Sequence, residues 1–153
     1  MYGADIGKIL FVCVGNVCRS PMAAALLEQR LSRRAAPFTV GSAGIAALVG
    51  EPAQPHALAL LRERGIDLCG HRARQLTAEM ASAFDLILVM EEAQRREVER
   101  IFPAGRGRIH RLGRFRDFDV PDPYGGTRDA FERSLSLIER GIDDFERALW
   151  KAS

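Results

Sequence analysis

Residues 13–20 read Cys-Val-Gly-Asn-Val-Cys-Arg-Ser and follow directly on the apolar run Ile-Leu-Phe-Val at residues 9–12. The residues after them have the pattern of a helix. A strand that ends at Cys13 and a helix that begins near Arg19 leave a short loop whose backbone N–H groups have no partner within the helix. Together with the positive end of the helix dipole, these groups attract an anion of the size of phosphate. The sequence therefore predicts an anion-binding loop between the first strand and the first helix.

The same loop carries a candidate nucleophile and a candidate phosphate-binding cation. The field that attracts an anion also stabilises a thiolate, so we expect Cys13 to be ionised near neutral pH. Gly15 and Asn16 are the residues best able to take the positive φ that a tight loop requires. Arg19 offers a planar fork to two phosphate oxygens, and Pro21 suits the first turn of a helix. The alternative, a buried cysteine that happens to precede a surface arginine, does not explain this combination.

The composition indicates one ordinary globular domain, which we place at residues 1–153. A chain of 153 residues with 47% hydrophobic content can bury a core without help from disulfides or metals. The formal net charge is only +2 and arginine occurs in every part of the chain, so no basic stripe predicts nucleic-acid binding. No segment approaches the ~18 apolar residues of a membrane span, and the first residues lack the pattern of a secretion signal. We expect a cytoplasmic protein that neither inserts into a membrane nor binds nucleic acid.

The cysteines and histidines do not suggest a metal site or a disulfide framework. The chain has 3 cysteines, an odd number that fits a reducing compartment. Cys18 shares the loop with Cys13, so it is either the partner in a reversible disulfide or a small packing residue at the start of the helix. The histidines are far apart and show no ligand spacing; they are His56, His71 and His110. We expect no metal and no cofactor.

Hydrophobic patterning predicts an α/β fold in three layers. Short apolar runs predict four strands, at residues 8–12, 38–40, 84–90 and 108–112. Amphipathic patterns between and after them predict helices at residues 22–34, 55–64, 91–102 and 131–149. Apolar strands that alternate with such helices are typical of a parallel sheet, here four-stranded, with helices on both faces. Ligands of such sheets bind outside the carboxyl ends of the strands, which is where the loop after the first strand lies.

A long irregular stretch, residues 113–127, supplies candidate acids. Loops of this length in a compact domain are more often functional than idle. Asp117, Asp119 and Asp122 all lie in it. An aspartate before a proline, as at Asp122, is also a common turn former.

These residues resemble the low-molecular-weight protein tyrosine phosphatases along nearly the whole chain. The matching stretches are residues 11–21, 42–44, 70–76, 85–90 and 122–124. The stretch 44–50 is further similar to the bacterial branch that works beside tyrosine autokinases in capsule and exopolysaccharide production. The resemblance implies the flavodoxin-like phosphotyrosine phosphatase I fold. It also implies hydrolysis through a phosphocysteine, with phosphate and other oxyanions as inhibitors.

The resemblance also implies a role for each matching residue. Cys13 is the nucleophile, Arg19 binds the phosphate, and Asp122 is the general acid and then the general base. The rest of the loop binds the phosphoryl group with its backbone: Val14, Gly15, Asn16, Val17, Cys18 and Ser20. Ser20 donates its hydroxyl to the Cys13 sulfur, and a hydrogen-bonding set holds the loop: Asn16, Ser42 and His71. The rim of the substrate slot is implied to be Ile45, Leu48 and Tyr124.

Two departures from the family pattern concern this slot and its surroundings. Many members have an aromatic residue where this chain has Ile45, and a second tyrosine where it has Gly125, so we expect a more open slot. Many members also have aspartate in place of Glu91, a change that the sequence alone does not explain.

Three functions follow from this pattern, in order of preference. The first is a phosphatase acting on a phosphotyrosine protein, for which the tail of a bacterial tyrosine autokinase is the candidate. The second is arsenate reduction on the same scaffold, which requires resolving thiols that this chain lacks beyond residue 75. The third is a phosphoryl carrier or phosphotyrosine-binding module, which has little need for a leaving-group acid such as Asp122.

Overall fold

A computed structural model describes residues 6–150. Both ends of the expected domain, residues 1 and 153, lie outside this range, as do the first five residues, which lack the sequence pattern of a secretion signal. The strands are β1 Lys8–Cys13, β2 Thr39–Gly44, β3 Leu86–Val89 and β4 Ile109–Arg111. The α-helices are α1 Arg19–Leu31, α2 Pro55–Glu63, α3 Ala78–Ser82, α4 Glu92–Ile101 and α5 Arg128–Leu149, and a 3-10 helix spans Pro103–Arg108.

The four strands form one parallel sheet in the order β2-β1-β3-β4. The predicted three-layer α/β fold is therefore confirmed. Alternate β1 side chains face opposite sides, because Ile9 and Phe11 join one apolar cluster while Leu10 and Val12 join another. The first cluster is covered by α1, α2 and α5, and the second by α3 and α4. This arrangement buries β1 on both faces, and its carboxyl end lies beside those of β2 and β3.

The second strand is longer than its short apolar run predicted. We expected a strand at residues 38–40, but β2 continues to Gly44, which pairs with Cys13. A Cβ on Gly44 would lie 2.5 Å from the Val14 carbonyl oxygen, so only glycine lets these two backbones come so close. A Cβ on Gly41 would likewise meet the Arg74 guanidinium at 2.8 Å. The glycines permit close packing of the strand rather than a turn.

Two further differences concern helices. Helix α3 was not predicted, because five residues are too few to show a helical period; Thr77 caps it by accepting from the Met80 N–H. Helix α5 begins at Arg128, three residues before its apolar stripe. Thr127 caps it, because the Thr127 side chain accepts from the Ala130 N–H. Helix α1 begins at Arg19, which places its N-terminus directly behind the loop after β1.

Candidate active site

In the loop after β1 the backbone carbonyls are hydrogen-bonded, whereas the backbone N–H groups are not hydrogen-bonded within the described chain. Four of its carbonyls accept from the segment that follows β2: those of Cys13, Val14, Gly15 and Val17 accept from Ile45, Ala46, Leu48 and Gln54. No acceptor within residues 6–150 takes the N–H groups of residues 14–18. Unpaired backbone donors at the start of a helix are what an anion-binding loop requires, so the sequence-based prediction of such a loop agrees with this geometry and stays a prediction.

Asn16 fixes the shape of this loop from beneath. Its φ is 60°, a conformation that few residues other than glycine adopt. Its side-chain amide donates to the Ser20 hydroxyl at 2.8 Å and to the Ser42 hydroxyl at 3.0 Å, and its Oδ1 accepts from the Arg74 N–H at 2.9 Å. Its carbonyl lies 2.6 Å from His71 Nε2. The structure thus brings together Asn16, Ser20, Ser42 and His71.

Ser20 is placed to serve the nucleophile. Its hydroxyl oxygen lies 2.8 Å from the Cys13 sulfur. Since that oxygen already accepts from Asn16, its own hydrogen is available to donate to the sulfur. Cys13 is 2% exposed and forms the floor of the cradle.

Cys18 differs from Cys13 although the two share a loop. It is buried, and burial together with the Cys13 charge raises the pKa of the Cys18 thiol to about 12. Cys18 is therefore a thiol at neutral pH and not a second nucleophile.

Arg19 offers one defined edge of its guanidinium to the cradle. The side chain is 1% exposed. Its Nη1 donates to Glu91 Oε1 at 2.6 Å and to the Val120 carbonyl at 2.8 Å, which uses both of its hydrogens. Its Nε is buried without a hydrogen-bond partner, and its Nη2 lies 3.6 Å from Asp122 Oδ2. The Nε–Nη2 edge is thus the fork left for a phosphate, and an unpaired buried donor is stabilised when an anion arrives.

Glu91, which had no interpretation from the sequence, orients this fork. It is the N-cap of α4, and a reciprocal capping box joins it to Gln94, whose amide nitrogen donates to Glu91 Oε1 at 3.1 Å. The Glu-x-x-Gln spacing at the end of β3 was the available signal. It predicts a helix start, and the carboxyl end of β3 lies beside that of β1 in the sheet.

Asp122 is the one of the three candidate acids that reaches the cradle. Its Oδ1 accepts from the Tyr124 N–H at 3.1 Å in a local turn, and its Oδ2 is the atom near Arg19. Asp117 pairs with Arg111, and Asp119 accepts from Arg111 at 3.0 Å and from the Glu92 N–H at 3.2 Å. The loop is anchored at the site because Val120 donates to the Met90 carbonyl at 2.9 Å while its own carbonyl accepts from Arg19.

A slot of about 170 Å³ opens above Cys13 and Arg19. Its outer walls are Val14, Leu48 and Tyr124, with exposed fractions of 40%, 40% and 54%. Gly15, Val17, Cys18 and Asp122 also line it.

The structure does not place Ile45 in this slot. Ile45 packs against the apolar cluster of Leu10 and Val12 on the far face of the sheet, and the neighbouring Ala46 lines the slot instead. The expectation that Ile45 contacts the substrate therefore has no support from this geometry, because successive side chains after a strand point to opposite faces. Asn16, Ser20, Ser42 and His71 lie behind the slot and support its loop.

Between residues 6 and 150, no three or more histidine, cysteine or carboxylate side chains are grouped as they would be to hold a metal ion. Over the same range, no helix has both the length and the apolar character that crossing a membrane requires.

Comparison with known proteins identifies the family. The family model for low molecular weight phosphotyrosine protein phosphatases matches residues 8–153. The probable low molecular weight protein-tyrosine-phosphatase EpsP of Ralstonia nicotianae is 49% identical over 138 residues, covering 90% of this chain and 92% of that protein.

Solved structures agree with this match. The tyrosine phosphatase AmsI of Erwinia amylovora has a TM-score of 0.91 at 38% identity, with 99% of this chain and 98% of that chain covered. Vibrio vulnificus Wzb in complex with benzylphosphonate has a TM-score of 0.88 at 37% identity, with 94% and 99% covered. This chain belongs to the low molecular weight protein-tyrosine-phosphatase family and is an enzyme of that class. The resemblance to the family and to its bacterial branch is confirmed.

Proposed function

We propose that this enzyme hydrolyses phosphotyrosine in proteins through a phosphocysteine on Cys13. The observation that carries this proposal is the cradle itself. Cys13 and Arg19 line the slot, the backbone N–H groups of residues 14–18 have no acceptor within residues 6–150, and the Nε of Arg19 is buried without a partner. An oxyanion above a sulfur is what these donors fit.

The first step transfers the phosphoryl group to sulfur. The Cys13 thiolate attacks phosphorus, an S–P bond forms, and the bond from phosphorus to the tyrosine oxygen breaks. The loop N–H groups and the Arg19 fork hold the remaining phosphoryl oxygens as their charge redistributes. Asp122 gives its proton to the departing tyrosine oxygen.

The second step returns the enzyme to its starting state. Asp122, now a carboxylate, takes a proton from the water that attacks phosphorus. The S–P bond breaks, inorganic phosphate leaves, and the electron pair returns to sulfur. The Ser20 hydroxyl, 2.8 Å from that sulfur, stabilises the thiolate as it departs.

The slot walls support an aryl phosphate as the substrate. Val14, Leu48 and Tyr124 offer apolar and aromatic surface on which a tyrosine ring can pack. A phosphoserine would leave these walls without a partner. The Vibrio relative was solved in complex with benzylphosphonate, a phosphonate that carries an aromatic group.

We further propose that the physiological substrate is a flexible protein tail that carries phosphotyrosine. The candidate is the tail of a bacterial tyrosine autokinase, and the enzyme acts on it in the cytoplasm. The open rim supports this: Val49 is 68% exposed, and Gly125, with φ of 76°, carries no side chain beside Tyr124. Phosphate and other oxyanions should inhibit by occupying the same cradle.

The alternatives fit the geometry less well. The third cysteine, Cys69, is exposed and lines a separate hollow with Arg62 and Leu68, so no resolving thiol beyond Cys18 reaches the slot. This disfavours arsenate reduction. The placement of Asp122 beside Arg19 disfavours a carrier that parks phosphate without hydrolysis.

Turnover of an aryl phosphate without added metal tests the roles. Wild type should hydrolyse it in mildly acidic buffer, Cys13→Ser should be inactive, and Asp122→Ala should be strongly slowed. Asp119→Asn is the matched control, because Asp119 pairs with Arg111 away from the slot. Turnover that survives in Cys13→Ser would rule out the phosphocysteine. Loss of turnover in Asp119→Asn but not in Asp122→Ala would assign the general acid to Asp119 instead of Asp122.

A further inference from the structure

Ser134 is a fully buried serine on the apolar face of α5, the face that also carries Phe131, Leu135 and Ile138. A hydroxyl buried there is cut off from water and needs an acceptor in the protein. In a helix such a hydroxyl often turns back to a carbonyl of its own helix. Here it donates instead to the Pro121 carbonyl, at 2.7 Å and 13 residues earlier in the chain. The bond therefore ties the loop before α5 to the core face of that helix.

The carbonyl that Ser134 holds belongs to the residue directly before Asp122. The residues on both sides of Asp122 are prolines, Pro121 and Pro123, which have no backbone N–H to donate. The segment around the acid thus has fewer donors than an ordinary loop with which to bond to the rest of the protein. The carbonyl of one residue and the Cα of the next lie in one rigid peptide plane. Holding the Pro121 oxygen therefore restrains the Cα of Asp122 itself.

The other contacts of Asp122 restrain it less. The Tyr124 N–H donates to Asp122 Oδ1 at 3.1 Å, but both residues belong to the same turn and move together. Arg19 Nη2 lies 3.6 Å from Asp122 Oδ2, which is too far for a hydrogen bond, and the Asp122 side chain is 46% exposed. The Arg19 bond to the Val120 carbonyl is one residue further away than that of Ser134. Among the hydrogen bonds of residues 6–150 that join this loop to a helix or strand, the Ser134 bond is nearest in sequence to the acid.

We propose that Ser134 is a positioning residue for the general acid, a role that rests on the proposed function of Asp122. Ser134 does not line the substrate slot, so it acts only through the peptide unit between Pro121 and Asp122. It keeps the Asp122 carboxyl where the departing tyrosine oxygen needs its proton. A shift of a catalytic group by on the order of 1 Å slows the step that uses that group.

The positioning role differs from a role in packing alone by its dependence on the substrate. The carbonyls of the phosphate cradle bond to the segment that follows β2 and make no bond to Ser134 within the described chain. Loss of the Ser134 hydroxyl should therefore slow proton transfer and leave attack by Cys13 unchanged. A packing defect would instead lower the amount of folded enzyme and reduce the rate on every substrate by the same factor.

The dependence of kcat/KM on the leaving group tests this proposal. This quantity covers the steps up to departure of the phenol and leaves out the later hydrolysis of the phosphocysteine. Phenyl phosphate has a poor leaving group that needs a proton, whereas dinitrophenyl phosphate has one that departs as an anion. In Ser134→Ala, kcat/KM should fall about fivefold for phenyl phosphate, the effect of one lost hydrogen bond. It should stay at the wild-type value for dinitrophenyl phosphate.

Three further variants serve as controls. Ser136→Ala removes an exposed serine from the same helix and should leave both rates unchanged. In an Asp122→Ala background, Ser134→Ala should cause no further loss on phenyl phosphate, because the group that Ser134 positions is gone. Ser134→Cys fills nearly the same space with a weaker donor. It should show the same dependence on the leaving group to a smaller degree, so the test does not depend on the folding of one variant.

Three results would overturn the role of Ser134. They are an equal loss on the two substrates, a rate on phenyl phosphate equal to that of Ser136→Ala, and an undiminished loss in the Asp122→Ala background. The response of Asp122→Ala alone separates this role from the proposed function. If Asp122→Ala lost activity equally on both substrates, the general acid itself would be refuted, and the role of Ser134 with it. If Asp122→Ala is slowed mainly on phenyl phosphate and Ser134→Ala is not, only the role of Ser134 is refuted.

Discussion

Replacing Glu91 with glutamine tests whether a carboxylate at the start of α4 positions the phosphate-binding arginine. Glu91 accepts from Arg19 Nη1 at 2.6 Å, and this contact leaves the Nε–Nη2 edge as the fork for phosphate. Glutamine keeps an acceptor oxygen and the side-chain length but removes the charge. The Arg19 guanidinium is then free to turn toward Asp122, 3.6 Å from its Nη2.

The expected cost follows from the burial of the pair. A hydrogen bond to a charged group contributes about 1.5–3 kcal/mol. Arg19 is 1% exposed but Glu91 is 37% exposed, so solvent screening favours the lower part of that range. A loss of about 1.5–2 kcal/mol in the transition state lowers kcat/KM by roughly 10- to 30-fold, at tenfold for each ~1.4 kcal/mol.

Steady-state hydrolysis of an aryl phosphate, with inhibition by inorganic phosphate, measures this effect. The inhibition constant for phosphate should rise together with the fall in kcat/KM, because both depend on the Arg19 fork. Glu92→Gln is the matched control, since Glu92 pairs with Arg95 and not with Arg19. A Glu91→Gln enzyme within twofold of Glu92→Gln in both quantities would refute the positioning role.

Three further predictions concern the loop and the slot. Cys18→Ser should keep most of the activity, because the raised pKa of Cys18 leaves it a neutral thiol; a loss as large as that of Cys13→Ser in the same assay would contradict this. Burial lowers the pKa of His71 below its ordinary 6.5, so its contribution to folding stability is complete above pH 6.5 and is lost as the pH falls toward the folded value. Urea unfolding should therefore show that the free energy of unfolding falls more for wild type than for His71→Gln between about pH 7.5 and about pH 5.5. An equal fall in the two proteins would contradict this prediction. Tyr124→Ala should raise KM for an aryl phosphate roughly fivefold, the effect of one lost aromatic contact of ~1 kcal/mol, while Tyr124→Phe should not; equal KM values would remove Tyr124 from the slot wall.

The phosphate cradle could be predicted from the sequence because its signals are local. Cys13, Asn16 and Arg19 lie within one strand–loop–helix unit, so their chemistry and spacing are visible together. The parallel sheet was also predictable, because buried strands read as apolar runs.

What could not be predicted depends on contacts between distant segments. The role of Glu91 requires β3 to lie beside β1, which brings it to a side chain 72 residues earlier. Ala46 lines the slot and Ile45 does not, because the two side chains point to opposite faces of the sheet after β2 ends. The strand character of residues 41–44 was hidden because glycines that allow close packing resemble glycines that make turns.

The phosphocysteine is the central claim, and rapid acid quenching during turnover tests it most directly. Mass spectrometry of the quenched enzyme should find the mass of one phosphoryl group on the peptide that contains Cys13. The label should be absent from Cys13→Ser and should disappear when substrate is exhausted. A label on another residue, or full turnover with no label under conditions that preserve a phosphocysteine standard, would contradict the account.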